Sequence, residues 1–287
     1  HLAFGGDKND AALGVCNITK GYAAVGYRAA AGGLLQGQIT AVSPTGQQLY
    51  SLELKSPNAA QTNACARLDD GLVAIGSTHS SGDDGWQATW TNVRADGTTK
   101  KSTAIGAKGS DFGNAIVADG GVQWFAGQSN RKGAGGYDGW IGTVSDEGQL
   151  LTESFHGTTG LETFNALART TDGGVFAGGS IQKGNGQPRS GWLVKLDAAG
   201  KLQWQRKHMG NFALVRDIAA TGDGGVVAVG AGDATGKGLE RALVWRVSSA
   251  GATRFVRNLA GGSVEGEANA VTEVANGDLL VGGFLRE

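Results

Sequence analysis

The stretch RTTDGGVFAGGS at residues 169–180 places an aspartate and two glycines before a short apolar run that ends in two more glycines. A similar stretch, AATGDGGVVAVGAG, follows at residues 219–232. A glycine-rich loop that occurs once can bind phosphate, whereas glycine-rich stretches at even spacing indicate a repeated supersecondary unit. The spacing along the rest of the chain therefore decides between a ligand loop and an architectural repeat.

The apolar run that ends in glycine recurs six times with a nearly constant period. Its last residues are Gly26, Gly76, Gly127, Gly179, Gly230 and Gly282, in steps of 50 to 52 residues. A second landmark, an aliphatic residue four positions before a turn glycine, keeps the same period at Val42, Val93, Val144, Leu196 and Val247. Each repeat holds four short apolar segments separated by turn residues, which predicts four antiparallel strands. Repeats of this length and content are typical of propeller blades.

We therefore predict an all-β fold, a six-bladed β-propeller of four-stranded antiparallel blades that forms one domain over residues 1–287. The repeats cover roughly residues 5–55, 56–106, 107–156, 157–208, 209–260, and 261–287 with 1–4. The sixth repeat stops after its second strand at VGGFLRE. We expect the last blade to be incomplete, closed by the N-terminal strand, or completed by another domain or chain.

Composition excludes several function classes. Lysine and arginine number 25 against 26 acidic residues, so no basic field for nucleic acid is expected. No apolar run approaches the roughly 20 residues of a membrane helix, and we expect no membrane insertion. The chain holds 51 glycines and 3 prolines, which fits many short strands joined by tight turns. No cofactor is expected.

Units such as DGGVFAGGS followed by GWLVKLDAAGKLQW resemble the bacterial propeller repeats of secreted and surface proteins, of the delta-60 and SBBP kind. They resemble the blades of PQQ-type propellers more distantly. The resemblance covers essentially the whole chain, and its motifs specify blade turns. It implies a β-propeller of an exported bacterial protein, in the periplasm, at the cell surface or secreted.

The two cysteines, Cys16 and Cys65, lie on the first strands of neighbouring repeats. Aligning the repeats pairs Cys65 with Val15, so the two thiols are on opposite faces of equivalent strands. Facing surfaces of adjacent blades have this opposite parity, and a disulfide is geometrically reasonable. The alternative is two buried free thiols. The exported compartment that the resemblance implies favours the disulfide.

Two candidate ligand sites are weak. AGDATGKG at residues 231–238 has Lys237 of a phosphate loop, but Gly238 replaces the hydroxyl residue and the repeat places the segment on a loop between the second and third strands. The four histidines show no metal-ligand spacing, so no metal site is predicted. His156 and His208 occupy equivalent loops, and His79 is near Asp83 and Asp84.

An acidic residue often introduces the first strand of a repeat, as Asp10, Asp111, Glu162 and Glu267 do. Two carboxylates about 5 to 10 Å apart can act as glycosidase acid and base. Recurrence in several blades instead favours hydrogen bonding to loop amides, since catalysis needs one or two special carboxylates. We predict no catalytic residue.

The loops between second and third strands differ most among the repeats, and such loops on a rigid scaffold commonly carry binding specificity. We predict a noncatalytic propeller that binds a protein or glycan partner at this rim. The candidate binding residues are His79, Asp83, Asp84, Arg131, Lys132, Tyr137, Lys183, Arg189, Lys237, Arg241, His156 and His208. The alternatives are a carbohydrate-active enzyme with carboxylates at the axis and a regulatory propeller appended to a peptidase.

Overall fold

The structure, a computed structural model, describes residues 9–79, 85–119, 121–182, 184, 188–208, 214–233, 240–259 and 264–286. These residues form twenty-two β-strands and a single 3-10 turn at Ala31–Gly33, without an α-helix. The all-β prediction is therefore confirmed. The described part of the chain contains no helix with the length and apolarity that a membrane span requires.

Consecutive strands form antiparallel sheets, five with four strands and one with two. We call the strands of each sheet a to d in chain order. Sheet 1 holds β1 (Ala11–Ile18), β2 (Gly21–Ala29), β3 (Leu35–Val42) and β4 (Gln48–Leu54). Sheet 2 holds β5 (Ala60–Leu68), β6 (Gly71–His79), β7 (Trp86–Val93) and β8 (Thr99–Ile105). Sheet 3 holds β9 (Asp111–Asp119), β10 (Val122–Ser129), β11 (Asp138–Ser145) and β12 (Leu150–His156).

The remaining three sheets repeat this order, and the last is short. Sheet 4 holds β13 (Leu161–Arg169), β14 (Val175–Gln182), β15 (Ser190–Leu196) and β16 (Leu202–Lys207). Sheet 5 holds β17 (Leu214–Ala220), β18 (Val226–Gly232), β19 (Arg241–Val247) and β20 (Thr253–Asn258). Sheet 6 holds β21 (Glu265–Glu273) and β22 (Leu279–Arg286). The described part of sheet 6 thus has only strands a and b, as the sequence predicted.

The chain groups into two compact units. The first contains the described residues up to Arg131 together with Ile141–Glu153, and the second contains Lys132–Trp140 and the described residues from Ser154 onward. In the first unit, side chains of sheets 1 and 2 share an apolar core that includes Val25, Ile39 and Leu72. In the second unit, sheets 4 and 5 share another core around Phe176 and Trp245. Each core joins neighbouring sheets, as blade stacking requires.

Residues 169–180, RTTDGGVFAGGS, form the a-to-b turn and most of strand b of sheet 4. Gly173 adopts a φ of +84°, and its amide donates to the carbonyl of Thr170 at 3.2 Å. A side chain at this φ would be strained, which explains the glycine. Asp172 accepts from the amide of Gly174 at 3.4 Å and from Lys195 Nζ at 2.9 Å. The glycines and the aspartate therefore serve turn geometry here.

In the first five repeats, the glycine that ends the apolar run faces a β-bulge in strand a. Its partner strand shifts register at this level, for example between Phe164 and Ala166. A Cβ on Gly179 would lie 1.9 Å from the carbonyl oxygen of Thr163, and one on Gly127 would lie 1.7 Å from that of Phe112. Only a residue without a side chain fits against the bulged backbone. These glycines therefore allow the two backbones to approach closely.

The landmark glycine assigned to the sixth repeat was wrong by one position. A Cβ on Gly283 would lie 2.1 Å from the carbonyl oxygen of Glu267, whereas a Cβ on Gly282 would meet nothing within 4 Å. Gly283 pairs with Ala268 at the bulge, and Gly282 pairs with Ala270 beyond it. The equivalent residue is therefore Gly283, because the backbone contact and not the end of the apolar run defines the position.

Candidate functional site

The acidic residues at the start of strand a hold backbone in place. Asp10 accepts from the amide of Ala29 at 3.0 Å, and Asp111 accepts from the amide of Ala107 at 3.3 Å. Glu162, which is 1% exposed, accepts from the amide of Thr158 at 2.9 Å and from its hydroxyl at 2.8 Å. Glu267 pairs with Arg216. The predicted hydrogen bonding to backbone amides is borne out for Asp10, Asp111 and Glu162, whereas Glu267 pairs with a side chain instead.

Arg131, predicted as a free rim cation, lies in a buried ion-pair network. Its Nε donates to Asp111 at 2.8 Å and its Nη2 donates to Glu153 at 2.9 Å, while its side chain is 6% exposed. Burial alone lowers the pKa of Arg131, but the hydrogen bonds that the guanidinium donates to Asp111 and Glu153 outweigh this effect and raise the pKa. Since both carboxylates occupy the guanidinium, we assign Arg131 a structural role. The sequence did not indicate that Asp111 is buried and pairs with Arg131.

The other predicted rim residues have different environments. Lys132 is exposed, with Nζ 5.8 Å from the centroid of the Phe155 ring. Tyr137 is half-buried and forms an isolated parallel bridge with Leu161. Arg189 is exposed, whereas Arg241 is 8% exposed. The predicted residues Asp83, Asp84, Lys183 and Lys237 lie outside the described residues.

Each of the three rim histidines packs edge-on against an aromatic ring. The ring centroids are 5.4 Å apart for His79 and Trp86, and 6.2 Å apart for His156 and Phe164. His208 and Trp245 are 5.8 Å apart. Burial lowers the pKa of both His156 and His208, because an apolar environment disfavours the imidazolium. The described residues contain no group of three side chains that could hold a metal ion.

The first unit carries an aromatic group at the end where strands b and c are joined, which we call the rim aromatic cluster: His79, Trp86 and Phe112. The Trp86 and Phe112 rings lie 5.6 Å apart at 32°. All three side chains are half-buried, so part of each ring contacts solvent. The amide of Trp86 donates to Ser110 Oγ at 3.3 Å, which ties the start of strand c to the neighbouring sheet. His79 was predicted as a rim residue, whereas Phe112 was not, because no sequence motif marks it.

Sequence reasoning also missed an asparagine at the bulge of strand a. Asn63 Nδ2 donates to the carbonyl of Gly113 at 2.8 Å, and Asn165 Nδ2 donates to that of Val215 at 2.8 Å. Each bond joins a sheet to the next sheet in its unit. The signal is the dipeptide Asn-Ala, which recurs at residues 63–64, 114–115, 165–166 and 269–270. Asp217 replaces the alanine in sheet 5 and accepts from the amide of Val271 at 2.8 Å.

The structure joins Cys16 and Cys65 by a disulfide, with Cα atoms 5.7 Å apart. Cys16 pairs with Ala23 across sheet 1, whereas Cys65 pairs with Ala74 across sheet 2. The residue of sheet 1 that matches Cys65 is therefore Val15, which pairs with Ala24. This offset of one position lets the thiols of neighbouring strands meet.

Neither a protein-family model nor a curated protein matches the chain. Among solved structures it is similar to a subtype N10 neuraminidase-like protein of A/little yellow-shouldered bat/Guatemala/060/2010, with 7% identity and a TM-score of 0.50 over 90% of this chain and 86% of that one. It is also similar to an ACO/RPE65 chimera, with 13% identity and a TM-score of 0.53 over 88% of this chain and 64% of that one. The chain thus spans less than two thirds of the chimera.

A periplasmic gluconolactonase of Pseudomonas aeruginosa is a weaker match, with 14% identity and a TM-score of 0.46 over 94% of this chain and 87% of that one. At these identities a match shows the fold alone. The neuraminidase-like protein and the chimera, together with the repeated four-stranded antiparallel sheets, show that the chain is a β-propeller protein.

Proposed function

We propose that this chain is a noncatalytic binding propeller of an exported bacterial protein, and that it recognises a protein or glycan partner at the rim where strands b and c are joined. The rim aromatic cluster carries the proposal. Partly exposed aromatic rings stack on sugar rings and also anchor protein partners, because they bury large apolar area at low entropic cost. The variable loops of the repeats begin at the same end of each sheet.

Two further observations support this proposal. The acids at the start of strand a are held by backbone amides, by Thr158 or by arginine, which suits a structural role better than general acid catalysis. The Cys16–Cys65 disulfide fits the oxidising compartment of an exported protein.

The test is a binding screen with Trp86→Ala. Wild type and variant are applied to a glycan array and to a displayed peptide library, and Tyr22→Ala is the control because Tyr22 is a 48% exposed aromatic at the opposite end of sheet 1. Loss of a hot-spot aromatic removes about 2 kcal/mol or more, so we expect about thirtyfold weaker binding for Trp86→Ala. A partner bound equally well by the wild type and by Trp86→Ala would contradict the proposal.

A second candidate function, a carbohydrate-active enzyme, rests on Asp217. Burial raises the pKa of Asp217, although hydrogen bonds from the amides of Val271 and Ile218 oppose the shift. A carboxyl group with a raised pKa on an inner strand is a candidate general acid. Hydrolysis of any substrate in a glycosidase panel, abolished by Asp217→Asn, would favour this function over binding alone.

We also propose that another domain or chain completes sheet 6. In strand β22, Leu280 is 64% exposed and Leu285 is 58% exposed, whereas the b strand of sheet 5 is buried throughout. A peptide of residues 241–258, which form the c and d strands of sheet 5, should raise the melting temperature and slow hydrogen exchange of the β22 amides. Unchanged exchange at a saturating peptide concentration would argue against strand addition.

A further inference from the structure

A depression of about 520 Å³ lies in the first unit, at the end of sheets 2 and 3 opposite the rim aromatic cluster. Turns a-to-b and c-to-d meet there, so we call it the turn-end pocket. Its polar lining includes Arg67, Asp69, Asp70, Asn92, Gln123 and Asp146, and Leu68 and Ala118 add apolar surface. The volume is in the range of pockets that hold small ligands.

In sheets 4 and 5 a cation occupies the position that corresponds to Asn92. In sheet 4, Lys195 pairs with Asp172 of the a-to-b turn at 2.9 Å. In sheet 5, Arg246 pairs with Asp223 at 2.7 Å. Both cations precede the aliphatic residue that ends strand c, and in sheet 2 this position holds Asn92. Sheets 1 and 3 hold Ala41 and Thr143 at this position, so the cation of sheets 4 and 5 is absent from sheets 1, 2 and 3.

The turn of sheet 2 nevertheless keeps its negative charge. It is one residue shorter than that of sheet 4, residues 68–71 against residues 170–174, and it carries two acids, Asp69 and Asp70. Both are exposed. Neither carboxylate has a hydrogen bond or ion pair with the described part of the chain, in contrast to Asp172.

The lining also contains two side-chain amides, those of Asn92 and Gln123. Asn92 is 5% exposed, and its side chain makes no hydrogen bond with the residues that the structure describes. Gln123 is 1% exposed; its Oε1 accepts from Trp90 Nε1 at 2.6 Å and its Nε2 donates to Asp146 at 3.0 Å. These bonds fix the orientation of Gln123. Asn92 lines the pocket, so a ligand there can donate to its amide oxygen and accept from its amide nitrogen.

The chemistry of the lining selects a ligand class. The carboxylates of Asp69, Asp70 and Asp146 would repel an anion. The positive charges of Arg67 and Lys100 would repel a metal ion. A neutral molecule with many hydroxyl groups matches the set, because hydroxyls donate to carboxylates, accept from the cations and do both with amides. Leu68 and Ala118 can contact the apolar face of a sugar ring. We propose that the turn-end pocket binds a neutral sugar residue, at a site separate from the rim.

The test replaces Asn92 by lysine, the residue at the equivalent position of sheet 4. Asn92→Lys places an ammonium beside Asp69 and Asp70, and we expect a folded protein with an unchanged or higher melting temperature. Asn92→Ala keeps the pocket open but removes the amide. Binding is measured by saturation-transfer NMR and calorimetry with the methyl glycosides of glucose, galactose, mannose and N-acetylglucosamine. We expect one of them to bind the wild type, about tenfold more weakly to Asn92→Ala, and not detectably to Asn92→Lys.

Trp86→Ala is the matched control, because it changes the rim and leaves the turn-end pocket intact. Glycoside binding that survives Trp86→Ala supports the pocket whether or not the rim binds a partner. If Asn92→Lys does not fold, the comparison of Asn92→Ala with the wild type decides the question. The proposal is overturned if none of the four glycosides binds, or if binding is the same in the wild type and both Asn92 variants.

Discussion

Removal of the Cys16–Cys65 disulfide tests the stacking of sheets 1 and 2. The bridge closes a loop with a sequence separation of 49 residues. In the chain-entropy model, a loop of this size contributes about 4 kcal/mol to the free energy of unfolding at 25 °C, because the reduced unfolded chain gains that conformational freedom. For a protein of this size the loss corresponds to a fall in melting temperature of about 10 °C.

The perturbation is the double variant Cys16→Ala with Cys65→Ala, compared with the wild type in urea titrations with and without reductant. Cys65 is 9% exposed and packs in the core of the first unit, so alanine leaves only a small packing defect. Reductant should lower the stability of the wild type to nearly that of the variant and leave the variant unchanged. Thiols that alkylate in the unreduced, denatured wild type, or a loss below about 1 kcal/mol on reduction, would refute the reasoning.

Three further predictions concern single side chains. Arg131→Met should lower the free energy of unfolding by about 3 to 5 kcal/mol, because the carboxylate of Asp111 is fully buried and loses its counter-charge; a loss below about 1 kcal/mol in denaturant titration would contradict this. Gly283→Ala should destabilise the protein by about 1 kcal/mol or more while Gly282→Ala changes stability by less than about 0.5 kcal/mol, and equal effects would reject the corrected register. Burial lowers the pKa of His156 in the folded protein, so the neutral imidazole contributes fully to stability above about pH 6.5, the pKa in the unfolded chain. This contribution is lost as the pH falls through the pKa of the folded state. His156→Gln should flatten this part of the pH-stability curve, and an unchanged curve would contradict the lowered pKa of His156.

The fold could be predicted because its signals are local and repeated. The turn of residues 170–174 requires glycine because one residue has a positive φ, and strand b requires glycine where it packs against the bulge. Both requirements recur in successive repeats. The same reasoning misplaced the sixth landmark at Gly282, since two adjacent glycines look alike in sequence. Only the backbone pairing, in which Gly283 faces Ala268, separates them.

The candidate sites could be predicted less well, because they depend on side-chain partners. Arg131 follows strand b in a variable loop, which predicts an exposed cation, yet Asp111 and Glu153 bind it from two other strands. Phe112 joins the rim aromatic cluster only because strand a of sheet 3 lies next to Trp86. Neither relation follows from spacing along the chain.

A repeat protein provides its own reference for separating structural residues from functional ones. A side chain whose role recurs in several sheets, such as the bulge asparagines Asn63 and Asn165, is explained by the architecture. A position that departs from the repeat and leaves its neighbours without partners is not explained in that way. Asn92 is such a position, because it lines a pocket with Asp69 and Asp70, whose carboxylates have no partner among the described residues, whereas sheets 4 and 5 hold a charge pair there. A ligand that binds at such a position raises the stability of the protein, because it binds the folded state and not the unfolded state. The turn-end pocket should therefore make the melting temperature of the wild type, but not that of Asn92→Lys, rise with sugar concentration.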